Sequence, residues 1–191
     1  MANKFTYQIL RDTTTDAVIK ITGTFTGGDE LNTQRIPANS LYGAIATNGS
    51  LVANATQQYA NTPLSYYDLQ LTGLKYYVNF PSTAPLGSVE LFWSGAGATQ
   101  AAQYANSATI FHLQGQGEFG LGEQLPSILN NSGFTVAANT GNGDLGVASQ
   151  GAVANAAYTL IVSVRKNNSM YQRGQFNDPA AFNYGSYKLT S

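Results

Sequence analysis

The chain of 191 residues is long enough for one domain with a sizeable core and too short to hold two comfortably. Charged residues make up 10% of it, far below the roughly 25% of ordinary soluble chains. Nine Lys and Arg against ten Asp and Glu leave a net charge of −1, which offers no basic field for a nucleic acid, and the lack of cysteine excludes disulfides, thiolate metal sites and cysteine nucleophiles.

The N-terminal stretch shows the clearest local pattern. Phe5, Tyr7 and Ile9 alternate with Thr6 and Gln8, then Asp12-Thr-Thr-Thr-Asp16 supplies turn chemistry, then Ala17, Ile19 and Ile21 alternate again. A β-hairpin is predicted, closed by Gly27-Gly28. From Asp29 to Pro63 the periodicity weakens into glycine, asparagine and small residues, which predicts a long early loop carrying short strands. Strand character returns over Tyr67 to Phe80, ended by Pro81, and again over Ser88 to Trp93.

Gly95 to Ala108 is rich in Ala, Gly and Gln and is read as a loop with a turn of helix. Thr109 to Leu113 is a strand that Glu118 to Leu121 continues after a glycine break. Phe134 to Ala137 and Leu145 to Ala148 are short strands flanking the Gly141-Asn-Gly143 turn. Tyr158 to Val164 is β-branched and almost wholly apolar, the pattern of a central strand buried on both faces. Roughly seven to nine strands without a long amphipathic helix predict an all-β domain, a β-sandwich or jelly-roll, over residues 1–166.

After Lys166 the pattern stops. Residues 167–191 read as a C-terminal arm in which Tyr171, Phe176, Phe182, Tyr184 and Tyr187 stand among Asn, Gly and Gln. Each aromatic ring buries on the order of 150 Å² or more when it packs, so the arm is expected to lie on protein surface, either its own domain or a neighbouring subunit.

Residues that could carry chemistry lack the company it requires. Gly115-Gln-Gly117-Glu-Phe-Gly120 has the letters of a dinucleotide fingerprint, but Gly122 and Pro126 interrupt the helix that would face a pyrophosphate, so a bend or bulge is expected and no cofactor. His112 is the single histidine and no zinc spacing surrounds it. The carboxylates Glu90, Glu118, Glu123 and Asp144 have no setting that marks an acid–base pair, Asp29-Glu30 lacks the spacing of a calcium loop, and there is no Gly-x-Ser-x-Gly elbow. Trp93 shares a strand face with Leu91 and is read as core rather than as a sugar-stacking platform. The scattered basic residues, including the Arg165-Lys166 pair, are read as solvated strand and loop charges. The start Met1-Ala2-Asn3-Lys4-Phe5 has no apolar signal core and no run approaches the roughly 18 apolar residues of a membrane span, so synthesis in the cytoplasm and no membrane partner are expected. On that expectation the Asn-x-Ser/Thr sequences at Asn48, Asn54, Asn130 and Asn167 carry no glycan.

The hairpin Phe5 to Gly23 and the strand Tyr158 to Lys166 resemble small β-rich structural proteins of tailed bacteriophages, particularly those of cyanobacteria and other aquatic bacteria. That resemblance implies a non-enzymatic virion protein at the capsid surface, assembled in the host cytoplasm. Its implied role is capsid decoration: a cement protein, commonly a homotrimer, that bridges major capsid protein subunits so that multivalent contacts resist bursting. A tail or neck component and a carbohydrate-binding, receptor-binding module are the alternatives. The arm residues Tyr171, Phe176, Phe182, Tyr184 and Tyr187 are the expected partner contacts, and no catalytic, metal or cofactor residue is expected.

Overall fold

Alternation of apolar and polar residues determines where the long strands lie and which way they face. In the computed structural model, which describes residues 3–30, 36–42, 69–94, 100–105, 107–120 and 144–166, the chain is mostly β, in two antiparallel sheets. The larger has five strands in the order β1 (Lys4–Asp12), β2 (Asp16–Thr24), β8 (Ala157–Lys166), β3 (Leu69–Asn79) and β6 (Gly115–Phe119). The smaller has β5 (Ala108–Leu113), β4 (Ser88–Trp93) and β7 (Leu145–Gln150), with β4 in the middle.

The hairpin forms as its sequence predicts, with Phe5 opposite Gly23, Tyr7 opposite Ile21 and Ile9 opposite Ile19. The Thr13 hydroxyl makes the turn: its oxygen accepts from the Asp16 amide at 3.0 Å and the Thr15 amide at 3.3 Å. β8 is central, as its sequence indicates, but it is not buried on both faces. Tyr158, Leu160, Val162 and Val164 point inward, while Thr159, Ile161 and Ser163 on the other side remain partly exposed. Burial on both faces is found instead in β4, all six of whose residues are buried, and over the first five residues of β7.

β5 and β6 are separated by Gln114 alone, yet they belong to different sheets, so β6 does not continue β5. Gly115, at φ 67°, makes the bend in a backbone conformation that a side chain would strain. The two sheets contribute to one hydrophobic cluster: Ile19, Ile21, Leu71, Leu74, Leu160 and Val162 from the larger, Val89, Leu91, Trp93, Leu113 and Val147 from the smaller. A stack of rings ties β5 to β6 and β3, with Phe111 on Phe119 at 4.7 Å and Phe119 on Tyr76 at 5.8 Å.

In the early segment, Ile36 forms a bridge with Leu145 and Ala38–Ser40 makes a 3₁₀ turn. A short helix, α1 (Gln100–Ala105), follows β4, in the stretch expected to hold a turn of helix. The expected strand Phe134 to Ala137, the Gly141-Asn-Gly143 turn and the arm 167–191 lie outside the described residues.

Candidate functional site

The expected arm contacts Tyr171, Phe176, Phe182, Tyr184 and Tyr187, together with Glu123, lie outside the described residues. The other singled-out residues have defined places. Trp93 is 2% exposed within the core cluster, so its ring is not a platform for a ligand. Gly115 and Gly117 sit in a strand paired to β3, so these fingerprint letters fall in a β-ladder rather than in a loop. His112 is exposed on β5, opposite Glu90.

Glu90 is a buried carboxylate in the doubly covered strand β4. The Tyr104 hydroxyl of α1 donates to it at 2.6 Å, and the Thr109 hydroxyl donates to its other oxygen. Tyr104 also sets its ring edge-on against Phe92 at 5.1 Å, so the helix covers both residues. The hydrogen bond to Glu90 is the main reason the Tyr104 phenol is held above its usual titration range, with burial second. Asp144 accepts from the Ala38 amide at 2.8 Å, and Asp29 accepts from the Ala152 amide at 2.7 Å; both bonds fasten loops to the fold. Among the described residues no group of three or more His, Cys, Asp or Glu is placed to hold a metal ion, and no helix is long and apolar enough to cross a membrane.

Lys166, read from sequence as half of a solvated basic pair, is instead fully buried at the side-chain level. Its ammonium donates to Asp12 Oδ1 at 2.6 Å, to the Thr13 carbonyl at 2.6 Å and to the Tyr42 carbonyl at 2.8 Å, which uses all three of its donors. Asp12 Oδ2 accepts in turn from the Tyr42 amide at 2.7 Å. The latch joins the end of β8, the β1–β2 turn and residue 42 at the point where the chain passes into its last 25 residues. Burial lowers the Lys166 pKa, and the bond and charge of Asp12 oppose that shift.

The surface with the strongest chemical character is the outer face of the five-stranded sheet. Strand register assembles it. One row reads Gln8, Lys20, Ile161, Lys75 and Glu118 across β1, β2, β8, β3 and β6; the next reads Thr6, Thr22, Thr159, Tyr77 and Gln116. The Thr6 and Thr22 hydroxyls are hydrogen-bonded to each other. Tyr77 is 54% exposed, and with Lys75, Tyr76, Thr159 and Ile161 it outlines a shallow depression of about 160 Å³.

Charge on this face is one-sided. Lys4, Arg11, Lys20, Lys75 and Arg165, five of the nine basic residues, share it with two carboxylates, Asp16 and Glu118. Glu118 pairs with Lys75 at 3.1 Å and Asp16 with Arg165 at 3.7 Å. Among the described residues no carboxylate stands within ion-pair distance of Lys4, Arg11 or Lys20, which gather on β1 and β2. Composition conceals this asymmetry because the chain as a whole is nearly neutral. The signal that reveals it is the register: on a two-residue period Lys4 and, beyond the bulge at Leu10, Arg11 fall on the same side as Lys20.

Comparison with protein-family models, curated proteins and solved structures found no match to the chain.

Proposed function

We propose that this chain is a non-enzymatic virion structural protein of a tailed bacteriophage, a capsid decoration or cement protein that bridges major capsid protein subunits. In this reading residues 1–166 form a β-sandwich of the jelly-roll kind, residues 167–191 act as an arm reaching a neighbour, and the working species is a homotrimer at the capsid surface.

The observation that carries the contact role is the broad outer face of the five-stranded sheet, on which Lys4, Thr6, Gln8, Tyr77 and Gln116 are exposed. It presents hydroxyls, amides, cations and one exposed ring rather than a cleft with converging acids and bases. Such a palette suits wet, hydrogen-bonded contact with a large partner, and an exposed tyrosine at its middle is the residue type that anchors interfaces. A cement protein gains from many modest contacts of this kind, because each copy touches more than one shell subunit and must release all of them together.

The test joins the mass of the purified full chain by light scattering to co-sedimentation with undecorated phage capsids. A trimer that pellets with capsids supports the reading. A ring-sized or monomeric species that stays in the supernatant overturns it in favour of a tail or neck component. The exposure of Tyr77 beside Thr159 and Gln116 favours a second reading, glycan binding, since aromatic rings stack on sugars while amides and hydroxyls satisfy their hydroxyl groups. A glycan array that is positive for the native chain and blank for Tyr77→Ala would establish that alternative.

A further inference from the structure

We infer that the β1–β2 half of the outer sheet face, through Lys4, Arg11 and Lys20, docks a carboxylate-rich surface of a different protein subunit; this deepens the contact reading above and rests on it. Lys4 faces Thr24, Arg11 faces Val18 and Lys20 faces Gln8, so at about 3.3 Å per residue the three cations form a stripe about 20 Å long down β1 and β2, with Lys20 between the other two. Their neighbours among the described residues are the neutral hydrogen-bonding groups Thr6, Gln8, Thr22 and Thr24, and Asp16, the carboxylate that shares this half of the face, is engaged by Arg165 at 3.7 Å.

The β3–β6 half differs. Lys75 is satisfied by Glu118, and the exposed feature there is Tyr77. A partner spanning the face therefore meets positive charge at one side and an aromatic anchor at the other. That arrangement fixes orientation as well as attraction, because charge complementarity selects the register of approach and a ring seated at the interface resists dissociation. Carboxylates suit this face better than a phosphodiester chain. Three cations would release few counterions from a nucleic acid, and a strand crossing all five β-strands would run over Glu118.

The test uses the full chain and fluorescently labelled poly-L-glutamate as the carboxylate probe, with labelled oligothymidylate of equal charge as comparator. Anisotropy is read at low salt and again at high salt. The triple variant Lys4→Glu, Arg11→Glu, Lys20→Glu is compared with the edge-strand double Lys4→Glu, Arg11→Glu, which leaves the inner strand intact should the triple fail to fold. Binding of poly-L-glutamate that weakens about tenfold or more in the variants and is screened by salt supports the inference. Absent binding, or binding unchanged in both variants, overturns it. Tighter and equally variant-sensitive binding of oligothymidylate overturns it in favour of nucleic acid. A native mass that rises with concentration and collapses in the variants overturns it in favour of a second copy of this chain.

Capsid co-sedimentation with the same proteins separates the two claims. Capsid binding undiminished in the variants removes the cationic patch and leaves the capsid role standing. Variant-sensitive poly-L-glutamate binding with no capsid binding keeps the patch and removes the capsid role.

Discussion

In the five-stranded sheet, β2, β8 and β3 run to 9, 10 and 11 residues, and β2 and β8 alternate strictly between buried and partly exposed positions. The three strands of the smaller sheet have 6 residues each, and β4 is buried at every one. The long sheet holds its strands by extended pairing and keeps the residues of one face exposed or partly exposed. The short sheet has its middle strand enclosed, with α1 lying over Phe92 and Glu90. One sheet can thus present a contact surface without costing its own stability, while the other depends on its covering elements.

The sharpest way to break the long sheet is at its latch. Asp12→Ala should cost about 3–5 kcal/mol, because it leaves the buried Lys166 ammonium without its counter-charge. Replacing both partners, Asp12→Ala with Lys166→Met, should recover a large part of that loss, since no unpaired charge then stays buried. Urea unfolding of the two single variants and the double variant measures this. Equal loss in Asp12→Ala and in the double variant would show that the pair is not coupled.

In the short sheet the corresponding break is Glu90→Ala, expected to cost about 1–3 kcal/mol, since it removes the acceptor for the Tyr104 and Thr109 hydroxyls. Amide exchange should then rise over β4 and β5 before it rises over β2 and β8, if the cover is what stabilises that sheet. Uniform exchange across both sheets would mean that they unfold as one unit. Gly23→Ala probes packing beneath a ring rather than charge. A methyl at Gly23 would run into the buried Tyr158 ring, so overpacking of about 1–3 kcal/mol is expected. A thermal midpoint unchanged from the native chain would show that the ring can move aside.

The difference between the sheets also accounts for what the sequence disclosed. Alternation on either side of a Thr/Asp turn made the hairpin legible, whereas its register, with the bulge between Ile9 and Arg11, came from the structure. Leu145 to Ala148 was legible as a strand for its apolar run. An apolar run does not reveal how many of its faces are covered, which is why the double burial expected of β8 is found instead in β4 and most of β7. The change of sheet at Gln114 left no local mark beyond a glycine with positive φ. Lys166 looked like an ordinary surface charge, since its partners Asp12 and Tyr42 lie more than a hundred positions away in the chain. The cationic face was invisible for a similar reason: its members are dispersed in sequence and gathered by strand pairing.

The smallest expected effect concerns the phenols under the long sheet. The Tyr7 hydroxyl is buried beside Ser40 and makes no well-formed hydrogen bond among the described residues, so Tyr7→Phe should change stability near neutral pH by about 1 kcal/mol or less. Alkaline pH amplifies the contrast. Burial first, and then the Asp12 charge, push the Tyr7 phenol from 10.0 up to about 12. Burial followed by the charge of Glu30 raises Tyr158 as well. A group whose folded pKa lies above its unfolded value contributes stability that is complete below the unfolded pKa and is lost as pH climbs towards the folded one, so both tyrosines should weaken the fold above about pH 10. Lys166 enters with the opposite sign: its folded pKa lies below 10.5, so stability rises with pH between that lowered value and 10.5 and is level beyond it. Urea midpoints taken from about pH 8 to about pH 11 should therefore hold or rise before they fall, and Tyr7→Phe should fall less steeply than the native chain. Parallel curves for the two proteins would mean that Tyr7 loses its burial before it loses its proton, and that the edge strand opens ahead of the rest of the sheet.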